Sequence, residues 1–272
     1  MSSQGRPGLP SVGVPEFLSA RSRGYRLTVL TAYDFTMARL FDEAGVDALL
    51  VGDSLGMVVQ GNDTSLPVTL DEMVYHTRLV ARGARRSLVI ADLPFMTYQI
   101  SPQQALENAG RLVQQGGAHA VKLEGGLRSA KAIQAIADAD IPLMGHIGLT
   151  PQSVRKFGGF KVQRDEPRLI DEAKAVQDAG AFSIVVECVP AETAARIRDA
   201  VQIPTIGIGA GPECDGQVLV MHDMLGLYGE FRPKFVKVYA DLGTQIRKAV
   251  ETYRDEVRTG AFPAKEHSFR KT

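Results

Sequence analysis

The chain has no tryptophan, two cysteines in 272 residues, and no excess of either charge, with 31 Lys and Arg against 31 Asp and Glu. Each scarcity excludes something. Cys188 and Cys214 form no CxxC pair, so neither a disulfide framework nor a zinc site is expected. A nucleic-acid binder carries a basic surplus, and a formal net charge of zero removes that partner class. No apolar run approaches the ~18–20 residues of a membrane span, so no membrane partner is expected. The opening MSSQGRPGLPSVGVP lacks the apolar segment of a secretory signal, which predicts a cytoplasmic, reducing location. A hydrophobic share of 44% with 23% charged residues is that of a folded globular protein.

What is present is a repeat of short β-branched apolar runs and longer amphipathic stretches. Residues 1–13, rich in Ser, Gly and Pro, read as a flexible tail, and 14–272 as a single domain closing on a long C-terminal helix, Phe235–Gly260. Eight runs read as strands: Leu27–Thr31, Ala48–Val51, Leu88–Ala91, Ala120–Leu123, Pro142–Gly145, Ser183–Val186, Thr205–Ile208 and Val218–Met221. Helical patterns separate most of them. Ser101-Pro102 and the Thr69–Glu72 capping box mark two helix starts, and Gly45, Gly83, Gly116 and Gly180 mark helix ends. Sequential parallel strands need crossover helices, so eight such repeats predict an α/β fold of the (β/α)8 TIM-barrel type, with an open doubly wound sheet as the alternative. Two long connections, Gly52–Thr69 and Thr150–Arg168, fall on the face where barrel sites are built and are candidate lids.

The polar residues that follow each apolar run carry the chemistry. Asp53, Asp92 and Glu124 stand at or just past successive strand ends, where a buried carboxylate needs a partner. All-oxygen ligation suits a hard cation, Mg2+ first and Mn2+ next, while helix capping or ion pairing is the bland reading of each residue alone. Lys122 shares a strand face with Glu124, as a Schiff-base nucleophile or as a clamp for an anionic substrate. Glu187 follows an apolar strand and so is expected to be partly buried with a raised pKa, the condition for a general base; His146 is the other base candidate. The run Ile206–Gly211 holds either a phosphate or a close backbone contact, and Pro212 stands where a dinucleotide fingerprint needs its third glycine. His222-Asp223 is placed at the end of the eighth strand.

Beyond these single residues, LTAYDFTMARLFDEAG, LLVGDSLGMVVQGNDTSLPVTLDEMVYHT, ADLPFMTY, AVKLEGG, GHIGLTPQSV, FGGFKVQ, VVECVP, IGIGAG, DGQVLVMHDMLG, PKFVK and EHSF resemble successive blocks of the ketopantoate hydroxymethyltransferase family, in order over about residues 15–269. The resemblance implies a (β/α)8 TIM barrel of the phosphoenolpyruvate/pyruvate-binding type and a place in pantothenate biosynthesis. It implies transfer of a hydroxymethyl group from 5,10-methylenetetrahydrofolate to 3-methyl-2-oxobutanoate, by Mg-stabilised enolate formation and C–C bond formation, giving 2-dehydropantoate and tetrahydrofolate. One Mg2+ per subunit would be held by Asp53, Asp92 and Glu124. Asp53, Ser54, Asp92 and Lys122 match the family's ketoacid contacts, Glu187 its proton acceptor, and His146 lies in a matching block as an auxiliary group. The family is commonly a homodecamer. A mutase-type lyase of related architecture would use the same metal and ketoacid geometry without folate. The segment Pro151–Arg168, with five basic residues against two acidic, is expected to act as a lid and to attract the glutamate tail of the folate.

Overall fold

The computed structural model describes residues 10–229 and 233–270. Eight parallel strands close into a barrel in chain order, each paired with its neighbours and β8 with β1. They are β1 Leu27–Thr31, β2 Ala48–Val51, β3 Leu88–Asp92, β4 Ala120–Lys122, β5 Leu143–Gly148, β6 Ser183–Glu187, β7 Thr205–Ile208 and β8 Gly216–Leu219. The helices are α1 Val14–Ser19, α2 Phe35–Ala44, α3 Leu55–Val58, α4 Leu70–Gly83, α5 Pro102–Gln114, α6 Ala130–Ala137, α7 Val154–Phe157, α8 Glu166–Asp178, α9 Ala191–Ala200, α10 Met221–Met224 and α11 Leu242–Thr259. The chain divides into two compact units, 1–220 with the barrel and 221–272 with α10 and α11. Among the described residues no helix is long and apolar enough to cross a membrane.

The local signals act as expected at several places. Thr69 and Glu72 exchange the reciprocal bonds of a capping box at α4, Ser101 caps α5 ahead of Pro102, and Gly45 ends α2 in the left-handed conformation. Gly83 is the last residue of α4, packed on Phe35 and Ala38 of α2. The barrel interior is filled by Leu27, Val29, Leu50, Ile90, Met144, Val185, Ile206 and Val218. Phe17 of α1 closes its N-terminal end, fully buried and edge-on to Phe182 with ring centroids 5.6 Å apart. Val12 leans on the same cluster and its N–H donates to Arg86 O at 2.7 Å. So the expected flexible tail is anchored from Val12 onward, and residues 1–9 lie outside the described part.

That same N-terminal end carries two matching clamps. Asp47, just before β2, accepts from Thr28 N and Oγ1 of β1 at 2.8 and 2.7 Å. Asp215, just before β8, accepts from Thr205 N and Oγ1 of β7 at 2.9 and 3.0 Å, and from Arg198 Nε at 2.7 Å. Each carboxylate thus ties two neighbouring strands where chemistry is not built.

Several sequence boundaries shift, and three of the shifts have a cause in the structure. β8 begins at Gly216, not Val218, because a glycine lets Leu27 O of β1 approach to 2.6 Å of where a Cβ would stand. His222 and Asp223 therefore belong to α10 and not to a strand end. β5 runs on to Gly148, paired with β6 as far as Gly148 with Glu187, so His146 is a strand residue. The last helix starts at Leu242, where Asp241 accepts from Thr244 N, and not at Phe235.

Candidate active site

The C-terminal ends of β2 to β6 bring together all seven residues singled out above. Asp92 and Lys122 end β3 and β4 in direct register, and Lys122 Nζ lies 2.8 Å from Asp92 Oδ1. Asp53 follows β2, and its backbone N–H donates to Asp92 Oδ2 at 3.1 Å. Glu124 stands two residues beyond Lys122. Asp53, Asp92, Lys122, Glu124 and His146 are all buried, none more than 4% exposed. Ser54, half-buried beside them, shares a 2.9 Å hydrogen bond with Tyr33 Oη.

Crowding of like charges sets the electrostatics. Burial, and then the neighbouring Asp92 charge, push the Asp53 carboxyl up to about 7, against the pull of Lys122 and a bond from Gln152. Burial and the Asp53 charge hold Glu124 well above the usual carboxylate range. Burial alone would lower the Lys122 ammonium, but Asp92, Glu124 and Asp53 outweigh it and hold it above its ordinary value. Lys122 is therefore a fixed cation. A Schiff-base lysine needs the opposite, a depressed pKa.

His146 joins this cluster to Glu187. Its Nδ1 faces Lys122 Nζ at 3.4 Å, and since an ammonium only donates, that ring nitrogen accepts. The proton then sits on Nε2, which lies 3.0 Å from Glu187 Oε2. Burial, then the Lys122 charge, hold His146 well below the usual imidazole value. Glu187, with its side chain 14% exposed, is pushed up to about 8 by burial, partly offset by Lys122. Of the two base candidates, the carboxylate is thus the more basic, and the neutral imidazole packs beside it. The strands can lie this close because Gly148, at φ +90°, has no Cβ: one would stand 2.2 Å from Glu187 O.

Two residues of the site were not legible in the sequence. Gln152, in the first turn after β5, donates from Nε2 to Asp53 Oδ2 at 2.9 Å and from its backbone N–H to Glu124 Oε2 at 3.0 Å. Tyr98 donates to Gln152 Oε1 at 2.7 Å and receives Glu124 N–H at 3.2 Å. Both residues lie inside blocks quoted above, but nothing in their spacing marks them. Elsewhere, Gly211 packs against Ala191 at the start of α9, and a Cβ there would stand 2.5 Å from the Ala191 Cβ, so the close-contact reading of the glycine-rich run fits. Asp34, at the end of the first strand motif, caps α2 through Met37 N.

Three buried carboxylates against one lysine leave the cluster with a deficit of positive charge and a full set of hard oxygen donors, which fits a divalent cation. Among the described residues no three His, Cys, Asp or Glu side chains converge as a ready-made cage. Mg2+ needs no cage: it is held by one or two carboxylates, with waters and substrate oxygens completing the shell.

With this geometry in hand, the chain can be set beside known proteins. A family model described as ketopantoate hydroxymethyltransferase matches residues 11–265. The 3-methyl-2-oxobutanoate hydroxymethyltransferase of Desulforapulum autotrophicum is 56% identical over 261 residues, covering 96% of this chain and 99% of that one. The enzyme of the same name from Syntrophus aciditrophicus is 57% identical over 253 residues, 92% and 93% of the two chains. In fold, the chain is similar to phosphonopyruvate hydrolase in complex with oxalate and Mg++, at TM-score 0.60 and 14% identity over 94% and 93% of the two chains. It is equally similar to 2,3-dimethylmalate lyase, a member of the PEP mutase/isocitrate lyase superfamily, at TM-score 0.60 and 18% identity over 94% and 91%. The chain belongs to the ketopantoate hydroxymethyltransferase family.

Proposed function

We propose that this enzyme moves the one-carbon unit of 5,10-methylenetetrahydrofolate onto C3 of 3-methyl-2-oxobutanoate, giving 2-dehydropantoate and tetrahydrofolate. The observation that carries the reading is Glu187, half-buried at a strand end beside His146, with its carboxyl pushed up to about 8, in the range of a base for a carbon-bound proton. Lys122, a permanent cation among carboxylates, is the clamp for the ketoacid's own carboxylate, with Ser54 beside it. Asp53, Asp92 and Glu124 would hold one Mg2+ per subunit. Bound there, the ion supplies Lewis-acid stabilisation of the charge that develops on the ketoacid.

Glu187 Oε2 takes the C3 proton, and the electron pair left on C3 attacks the methylene carbon of the donor. A C–C and a C–O bond form at the methylene carbon as both of its C–N bonds to the folate break; water supplies the hydroxyl, and its remaining proton and the one taken by Glu187 go to the two freed nitrogens. His146 Nε2 packs 3.0 Å from Glu187 Oε2, and Gln152 fixes Asp53 and Glu124 relative to each other. Assembly as a homodecamer belongs to the same reading; Ile246, Val250, Tyr253 and Val257, each about half exposed along α11, support an oligomer. Product formation with and without Mg2+ and the folate donor, alongside deuterium exchange at C3 of the ketoacid, tests it. Product independent of the donor would point to a lyase, and absence of exchange would remove Glu187 from its role.

A further inference from the structure

Tyr33 stands two residues past the end of β1, 2% exposed, and takes no part in the proton and carbon transfers. A buried phenol needs a hydrogen-bond partner, and this one has Ser54 Oγ at 2.9 Å. Its backbone is pinned as well. The Tyr33 carbonyl can only accept, so His76 Nδ1 of α4, 2.7 Å away, carries the hydrogen and donates it. Ser54 occupies the position before α3 where a serine hydroxyl usually caps the helix. Its backbone is already helical there, at φ −53° and ψ −18°, and the hydroxyl makes no capping bond. Gly52 shows which way that hydroxyl faces. A Cβ on Gly52 would stand 2.8 Å from Ser54 Oγ and 3.5 Å from Asp92 Oδ2, so the hydroxyl and the carboxylate border one small space.

We infer that Tyr33 is a positioning residue for the ketoacid: by holding Ser54 Oγ it sets the hydroxyl that meets the substrate. The inference rests on the proposed ketoacid contact of Ser54 and deepens it. A serine hydroxyl can turn among staggered positions about χ1, and a substrate oxygen held in one place matches only one of them. The bond to Tyr33 removes that freedom before the ketoacid arrives, so less ordering is left to oppose binding. Tyr33 can act as a fixed point because it is itself held twice, by burial of its ring and by the His76 bond to its backbone. The bonds that order Asp53 and Glu124 come from Gln152 instead. Ketoacid binding and cation binding are thus ordered by different groups, and a change at Tyr33 should disturb the first and spare the second.

The test is a double-mutant cycle on the full-length enzyme with Tyr33→Phe and Ser54→Ala, read as calorimetric affinity for 3-methyl-2-oxobutanoate at saturating Mg2+. Ser54→Ala should weaken binding about tenfold or more, as expected for a lost hydrogen bond to a charged group, and Tyr33→Phe about three- to tenfold. In the Ser54→Ala background, Tyr33→Phe should change the affinity less than about twofold, since the group through which it acts is gone. The Mg2+ affinity of Tyr33→Phe, measured without ketoacid, should match wild type, which a general loosening of the site would not allow. An undiminished ketoacid affinity in Tyr33→Phe, an equal loss in both backgrounds, or a parallel fall in Mg2+ affinity overturns the inference. If Tyr33→Phe does not fold, His76→Leu releases the same residue from its backbone end and is read in the same two backgrounds, with the same outcomes for and against. Ser54→Ala binding the ketoacid as tightly as wild type would instead refute the proposed Ser54 contact, and the Tyr33 role with it.

Discussion

Replacing Glu187 by glutamine separates its two consequences, one for stability and one for rate. The folded protein holds the Glu187 proton up to about 8, against 4.5 for an ordinary glutamate. Between those values the native state binds more protons than the unfolded chain, so native stability falls as pH rises through the window. At 1.36 kcal/mol per pH unit the full effect is at most ~5 kcal/mol, reached above pH ~8 and absent below pH ~4.5. Glutamine keeps the shape beside His146 but cannot ionise. Glu187→Gln should therefore gain on wild type as pH rises, by up to ~3 kcal/mol between pH ~5.5 and ~8.5. Asp53, whose carboxyl is also raised, is present in both proteins and cancels in the difference.

The same variant should lose roughly 10²–10⁴-fold in C3 proton exchange, the span that a positioned base supplies. With no tryptophan in the chain, urea unfolding is followed by far-ultraviolet circular dichroism or tyrosine fluorescence at several pH values. Exchange is followed by deuterium loss from labelled 3-methyl-2-oxobutanoate. Parallel stability curves for the two proteins would show that Glu187 does not hold its proton. Retained exchange would show that another group is the base, and His146→Asn, expected to slow exchange less severely, would then be the variant to rank first.

Three further outcomes follow from the geometry. Asp92→Asn removes the partner 2.8 Å from Lys122 and a hard oxygen donor, so Mg2+ affinity by calorimetry should fall by no less than the ~10–100-fold that even outer-sphere partners contribute, with the circular dichroism spectrum unchanged. Gly148→Ala places a Cβ 2.2 Å from Glu187 O at φ +90°, which should cost about 2 kcal/mol or more in thermal unfolding and also slow C3 exchange, because β5 and β6 must part. Asp215→Asn weakens three bonds at the far end of the barrel and should cost ~2–4 kcal/mol in urea unfolding while leaving kcat intact.

Much of this architecture is legible without coordinates because parallel strands impose a simple pattern. Each apolar run buried on both faces must be followed by a crossover helix, and each helix announces its start chemically, as Thr69–Glu72 and Ser101-Pro102 do. The positions that shift are those where tertiary contacts decide. Ile147-Gly148 does not read as strand by propensity, yet the approach of β6 makes it one. Met221 reads as strand, and β8 has already ended at Leu219. Gln152 and Tyr98 stay hidden for a related reason. A neutral side chain carries no charge pattern, and its role emerges only when Asp53, Glu124 and the first turn after β5 are brought within one hydrogen-bond network.

The carboxylates show why residue type and strand position together say more than either alone. Asp47 and Asp53 flank the same four-residue apolar strand, and both are buried. Asp47 meets a threonine N–H and hydroxyl and the phenol of Tyr25, all donors, so its charge is fully used in joining β1 to β2. Asp53 meets another carboxylate, and its charge is opposed where it stands. A buried anion surrounded by donors is a structural tie, whereas a buried anion facing anions must be compensated by a proton or by a cation. The (β/α)8 barrel assigns these two roles to opposite ends of one strand. For that reason the strand-end acids Asp53, Asp92 and Glu124 point to a site, while Asp47 and Asp215, carboxylates buried to a similar degree, point to the stability of the fold.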